Sequence, residues 1–199
     1  MTKTEICNRA LGVLGHDRTI DDFDNDPSTE AERCRAFYNS AVLNCLAEHD
    51  WDFAAVEREL GVVAPDQFGW ARFPVPADAL RISSVCAPQG RPLKTRRQLN
   101  FILVETLGGP ARMRYITSDI TEIDFPHKFT EAVIHQLAAL ISGPMFGDAA
   151  KPNSFMSLAA QKLSDAVTKE TDETAYRGEW RNPFISARRY PLTATRYHG

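Results

Sequence analysis

The chain has 199 residues, 43% of them hydrophobic and 25% charged, with a net charge of −3. That composition is ordinary for a globular domain, and the length allows roughly 70% of the unfolded surface to be buried without a disulfide or metal staple. No run is long and apolar enough to predict a membrane span, and the polar start MTKTEICNRA predicts no signal peptide, so folding is expected in the cytoplasm.

Cys7, Cys34, Cys45 and Cys86 form no C-x-x-C pair and are read as small buried apolar residues. Charge is unevenly spread. Residues 1–52 hold 11 acids and five bases, net −6, whereas residues 177–199 hold five Arg and one Glu, net +4. The two ends can attract each other or the opposite end of another copy. Basic charge confined to a tail argues against a general nucleic-acid binder.

Thr2-x-x-Glu5 is a capping-box pattern, and Ile6, Cys7, Ala10, Leu11 and Leu14 then follow one helical face. Gly15 can end this short helix in the left-handed conformation. An acidic loop, Asp17–Asp26, follows. Asp22, Asp24 and Asp26 alternate as at the start of a calcium loop. The match then fails, because Pro27 stands where the turn needs Gly and Arg33 where the bidentate Glu belongs. A solvated loop is expected, not a metal site. From Asp26 to Trp51 the pattern predicts one long helix, with Asp26-Pro27 as its start and Glu30 and Glu32 suited to the positive end of its dipole. Cys34, Tyr38, Ala41 and Cys45, widened by Phe37, Val42 and Leu46, make a stripe broad enough for more than one neighbour. Trp51 and Phe53 are expected core anchors at a change of direction.

From Val56 the period drops to about 2, which predicts a strand through Val62. Trp70–Phe73 reads as a short strand, and Pro74 and Pro76 mark it as an edge or a bend. Leu80–Cys86 is a further strand, and Pro88–Pro92 a turn. Leu99–Leu107 is apolar on both faces and predicts a central strand. Gly108-Gly109 is a hairpin signal that returns it to Ala111–Thr117 as its partner. About five antiparallel strands result. Helical spacing resumes near Phe125-Pro126 with Phe129, Val133, Leu137, Leu140 and Ile141, and Gly143-Pro144 should stop that helix. Asn153 or Ser154 opens a last helix with Phe155, Ala159, Leu163 and Val167 on its apolar face. It turns polar by Lys169 and ends near Tyr176.

The expected class is α+β. About four helices form a bundle from residues 1–55 and 118–176, with an inserted antiparallel β section at 56–117 and an extended C-terminal arm at 177–199. The arm has no periodicity. Its Arg177, Trp180, Arg181, Phe184, Arg188, Arg189, Tyr190, Arg196 and Tyr197 have the composition of an interface, so it is expected to dock on a partner.

No catalytic constellation is visible. His49-Asp50 beside Asp52 lies at a helix end, where a His commonly caps carbonyls. His127 and His135 are eight residues apart, not the four of a helical metal pair. Ser142-Gly-Pro-Met lacks the setting of a nucleophile elbow. Gly108-Gly109-Pro110 sits between strands, where it cannot cradle phosphate at a helix start. No catalytic residue, metal ligand or cofactor is therefore expected, and a binding or structural role is preferred to an enzyme. A cell-wall hydrolase would need paired carboxylates across a cleft, and Glu48, Asp50 and Asp52 have no second element opposite them. The other alternative is a scaffold or regulatory protein.

Several stretches together carry a resemblance. They are Glu5-Ile6-Cys7-Asn8-Arg9-Ala10-Leu11-Gly12 with Leu14-Gly15, the acidic linker, and the long helix with Glu30-Ala31, Cys34 and Tyr38. The helix exit Trp51-x-Phe53-Ala54 and Pro76-Ala77-Asp78-x-Leu80-Arg81 follow. Tyr115-Ile116-Thr117, Phe125-Pro126 and Phe129-x-Glu131-Ala132 complete the set. In this order the chain resembles the tail tubular protein A family of tailed phages, over roughly residues 3–170. These are head-to-tail adaptors that sit beneath the portal. The resemblance implies a helical bundle with a β insertion, assembled as a ring, usually dodecameric, between the portal and a downstream tail protein such as a nozzle, stopper or tail tube. It implies a virion location at the head–tail junction after synthesis in the host cytoplasm, with no cofactor and no membrane anchor. DNA would pass through the ring without sequence-specific binding. On that basis the arm is expected to dock on the portal or a neighbouring subunit. The acidic loop, through Asp21, Asp22, Asp24 and Asp26, is expected to face the DNA channel, where like charge lets DNA slide.

Overall fold

Thr2 starts the first helix, α1 (Lys3–Val13), with a complete capping box. Its hydroxyl accepts from the Glu5 amide at 3.2 Å, and Glu5 returns the bond to the Thr2 amide at 2.8 Å. Gly15 closes the helix at φ 74°. The computed structural model describes residues 1–105, 110–146 and 151–179. These make an α+β fold in the order α1, α2 (Thr29–Ala47), β1 (Ala55–Leu60), β2 (Trp70–Pro74), β3 (Ala79–Cys86), β4 (Thr95–Gln98), β5 (Phe101–Glu105), β6 (Ala111–Thr117), α3 (His127–Phe146) and α4 (Lys151–Glu179).

The second helix starts later than its sequence pattern suggests. Asp26 precedes a proline and is held out of helical geometry. Ser28 is the cap instead, its hydroxyl accepting from the Ala31 amide at 3.3 Å. The helix also ends at Ala47, short of Trp51. Its buried face is Ala31, Cys34, Tyr38, Ala41, Val42, Cys45 and Leu46, which packs chiefly on α3. In α3, Gly143-Pro144 does not stop the helix, which runs on to Phe146. Proline deletes one ladder bond, but Ile141 and Ser142 just before it are fully buried. The Ser142 hydroxyl bonds the Ala139 carbonyl at 2.7 Å. Packing of this turn outweighs the missing bond. α4 lies along α3 through Ala159 and Ala166, with Phe155, Leu163 and Val167 beside them.

Trp51 is buried where α2 gives way to the β section, and its indole N–H donates to the Cys45 carbonyl at 2.9 Å. Its ring meets Phe129 of α3 edge-on at 5.1 Å. Phe53 and Phe125 lie 4.8 and 5.0 Å from the same Phe129. Four rings thus clamp the exit from α2 to the start of α3.

The strands form two three-stranded antiparallel sheets, ordered β1-β6-β3 and β2-β5-β4. β6 pairs with β1 and β3, so it is not the hairpin partner of β5 that its sequence suggests. Gly108-Gly109 lies outside the described residues. β5 is central in its sheet, but it begins at Phe101. Leu99 and Asn100 form a two-residue turn from β4, a fully exposed strand whose sequence, TRRQ, shows no apolar alternation. The two sheets share a core of their own. Leu60, Val85, Ala111, Met113 and Tyr115 come from the first sheet, and Ala71, Phe73, Ile102 and Val104 from the second. The helical core holds Ala54 and Ile116, where the chain leaves for the β section and returns. α4 continues to Glu179, so Arg177 lies in a helix where an extended arm is expected. Trp180, Arg181, Phe184, Arg188, Arg189, Tyr190, Arg196 and Tyr197 lie outside the described residues.

Candidate functional site: an acidic loop and a basic sheet face

The acidic loop is braced against the helices by its backbone. Ile20 is buried, and Asn8 of α1 grips both sides of its peptide. The Ile20 amide donates to Asn8 Oδ1 at 2.8 Å, and Asn8 Nδ2 donates to the Ile20 carbonyl at 2.9 Å. The Phe23 amide donates to the Thr4 hydroxyl at 3.1 Å, and the Phe23 ring meets Tyr38 at 5.3 Å. Arg35 donates to the carbonyls of Phe23 and Asp26 at 2.8 and 3.0 Å.

Within the loop, Asp26 accepts from the amides of Ser28 and Asp21 at 2.8 and 3.0 Å. The Ser28 and Asp21 bonds hold its carboxyl down to about 2. Asp22 accepts from Asn25 Nδ2 at 2.7 Å and the Asp24 amide at 3.0 Å, which lowers its carboxyl also. Asp21, Asp22, Asp24 and Asp26 are therefore brought together on one braced loop. Among the described residues no group of three His, Cys, Asp or Glu side chains is placed to hold a metal ion.

The acids after α2 have a different task. Asp50 accepts from the Ser83 hydroxyl at 2.7 Å and pairs with Arg81 at 3.5 Å, both on β3. Asp52 pairs with Arg114 of β6, and its amide donates to Glu170 of α4 at 2.8 Å. His49 lies edge-on to Trp51 at 5.1 Å. This cluster fastens the β section to the bundle. Asp78 adds to the joint, accepting from the hydroxyls of Thr117 at 2.8 Å and Tyr115 at 3.2 Å, and the Thr117 bond leads in holding its carboxyl low.

The outer faces of the two sheets differ in charge. On the first, Glu59 faces Arg112 at 3.6 Å and Glu57 faces Arg114 at 3.9 Å, so the charges cancel across the strands. On the second, strand alternation turns Trp70, Arg72, Arg96, Phe101, Leu103 and Glu105 away from the core, Glu105 being paired with Lys94 at 3.4 Å. The Arg72 guanidinium lies 3.6 Å from the Phe101 ring centre, and that of Arg96 lies 4.8 Å from Trp70. Neither arginine pairs with a carboxylate among the described residues. At one end of this face Leu99 is 86% exposed with φ 52°. A left-handed leucine costs about 1 kcal/mol. Phe68, two residues before β2, is 74% exposed. Sequence patterning missed this face because its residues come from three short strands. The alternation of Trp70 and Arg72 was its one local trace.

No family model matches the chain, and no curated protein matches its sequence. The geometry offers two surfaces of opposite charge, the braced acidic loop and the outer face of the second sheet.

Proposed function

We propose that the chain is a structural head-to-tail adaptor. It is a subunit of a ring, dodecameric in the family it resembles, that joins a portal protein to a downstream tail protein while DNA passes through. One observation carries this reading. The motif residues of the resemblance fall at the joints on which a bundle with a β insertion depends. Asn8 ties α1 to the acidic linker. Trp51, Phe53, Phe125 and Phe129 form the clamp where the β section leaves and returns. Asp78 and Thr117 close the same joint. Residues chosen for a resemblance need not have met in space, and their convergence supports it.

On this reading the arm beyond α4, with Trp180, Arg181, Phe184, Arg188, Arg189, Tyr190, Arg196 and Tyr197, docks on the portal or on an adjacent subunit. Its arginines and aromatic residues are the side chains that interface centres are built from. The test is electron microscopy of the purified protein alone and mixed with its portal. A ring stacked on the portal is expected. Subunits that never join the portal, across several salt concentrations, would sink the proposal.

A further inference from the structure

We propose that the outer face of the second sheet, around Arg72 and Arg96, is the docking surface for the acidic loop of a second copy of this chain. This deepens the adaptor reading, on which it rests, by naming the contact between ring neighbours. Composition supports a buried surface there. Arginine, tryptophan and phenylalanine with an exposed leucine are what interface centres are built from. Leu99 supports it too: a left-handed, 86% exposed leucine at the tip of the β4–β5 turn is packed on neither core among the described residues.

Charge selects the occupant. The two stacked arginines pair with no carboxylate among the described residues, and the densest group of acids in the sequence is Asp21, Asp22, Asp24 and Asp26. The C-terminal arm carries the same sign of charge as these arginines and is not their complement. Position makes the contact intermolecular. The loop lies at the N-terminal end of α2, whereas the β section is fastened near its C-terminal end, where Arg81 reaches the Ala47 carbonyl at 3.4 Å. The 19 residues of α2 separate them by about 28 Å. A surface at one end that fits a surface at the other makes a head-to-tail contact, the kind that closes into rings. The loop is then used in the seam between subunits and not on the channel wall.

Two charge reversals test the contact in the full-length protein. One variant carries Arg72→Glu with Arg96→Glu. The other carries Asp21→Lys with Asp24→Lys, residues whose carboxylates do not brace the loop. Sedimentation velocity and portal-templated ring formation are measured for each alone and for an equimolar mixture. Each variant alone should self-associate about tenfold more weakly than the unmodified chain, with the difference reduced by salt. The mixture should regain association, because each variant supplies the charge the other needs, and a folding defect could not be repaired in this way. Failure of the mixture to recover, or a chain monomeric both free and on the portal, overturns the proposal. So does duplex DNA binding that depends on Arg72 and Arg96 while self-association ignores them. Portal-bound rings indifferent to all four reversals overturn this contact but leave the adaptor reading standing. Charge-dependent association with no ring on the portal does the reverse.

Discussion

Replacing Asn8 with alanine removes both hydrogen bonds that hold Ile20, at 2.8 and 2.9 Å. The Ile20 side chain is 2% exposed, so its peptide cannot turn to water without lifting that side chain out of the core. Each bond is worth about 1 kcal/mol net, and the groups left unpaired add to the loss. The total should be about 2–3 kcal/mol. For a chain of this length that lowers the melting temperature by about 5–10 °C. Urea unfolding of the two proteins measures the difference, and hydrogen exchange shows where it acts. The amides of Ile20 and Phe23 should exchange faster, while those of α3 follow global stability alone. Asn8→Asp keeps an acceptor for the Ile20 amide but sets a carboxylate against the Ile20 carbonyl, so it should recover none of the loss. A destabilisation under about 0.5 kcal/mol, the size of an ordinary surface change, would refute the argument that this side chain fixes the loop.

Four further outcomes are expected. Trp51→Ala empties the centre of the aromatic clamp and should cost about 3–5 kcal/mol, read from the urea midpoint. A cost under about 1 kcal/mol would show that the clamp is not needed. Leu99→Gly relieves the left-handed strain and should raise stability by up to about 1 kcal/mol, since the glycine's greater unfolded freedom offsets part of the gain. A fall in stability would mean that Leu99 packs within its own subunit. Asp26 has its carboxyl depressed from 3.8 to about 2. Its contribution to the loop should be complete above about pH 4 and lost as pH falls through 2. Carboxyl-carbon NMR should place the midpoint near 2, and an ordinary midpoint would contradict the bonds from Ser28 and Asp21. Deleting residues 180–199 spares α4, and should leave the unfolding transition in place while abolishing docking to the portal. Undiminished docking would remove the arm from the proposed interface.

The helices were legible because their signals are local. Thr2 and Glu5 cap α1 as their spacing suggests, and the stripe from Cys34 to Leu46 is buried as its period requires. What failed was the reading of punctuation. Asp26-Pro27 and Gly143-Pro144 look like boundaries. Yet Ser28 was the better cap, and packing around Ser142 carried α3 through its proline. Strand partners were less legible, because pairing is a long-range choice. Ala111–Thr117 pairs with β1 and β3, lending Met113 and Tyr115 to the core between the sheets and Ile116 to the bundle. The acidic loop was visible as a charge run, but its bracing by Asn8 and Arg35 was not, since those partners lie on helices before and after it. The basic face needed both the β4–β5 turn and the β2–β5 pairing before its arginines could be placed together.

Ala55 and Ile116 are paired neighbours, although almost the whole β section lies between them in the chain. The chain therefore enters and leaves that section through a doorway two strands wide, and β3 braces the bundle beside it through Ser83 and Arg81. Whatever happens beyond the doorway leaves the spacing of its two posts unchanged. Loops there can lengthen and faces can change charge without asking α1, α2 or α3 to repack. A short bridge across the posts should even let the helices stand alone. Such an arrangement frees one half of the molecule to track a changing neighbour while the other half keeps its shape.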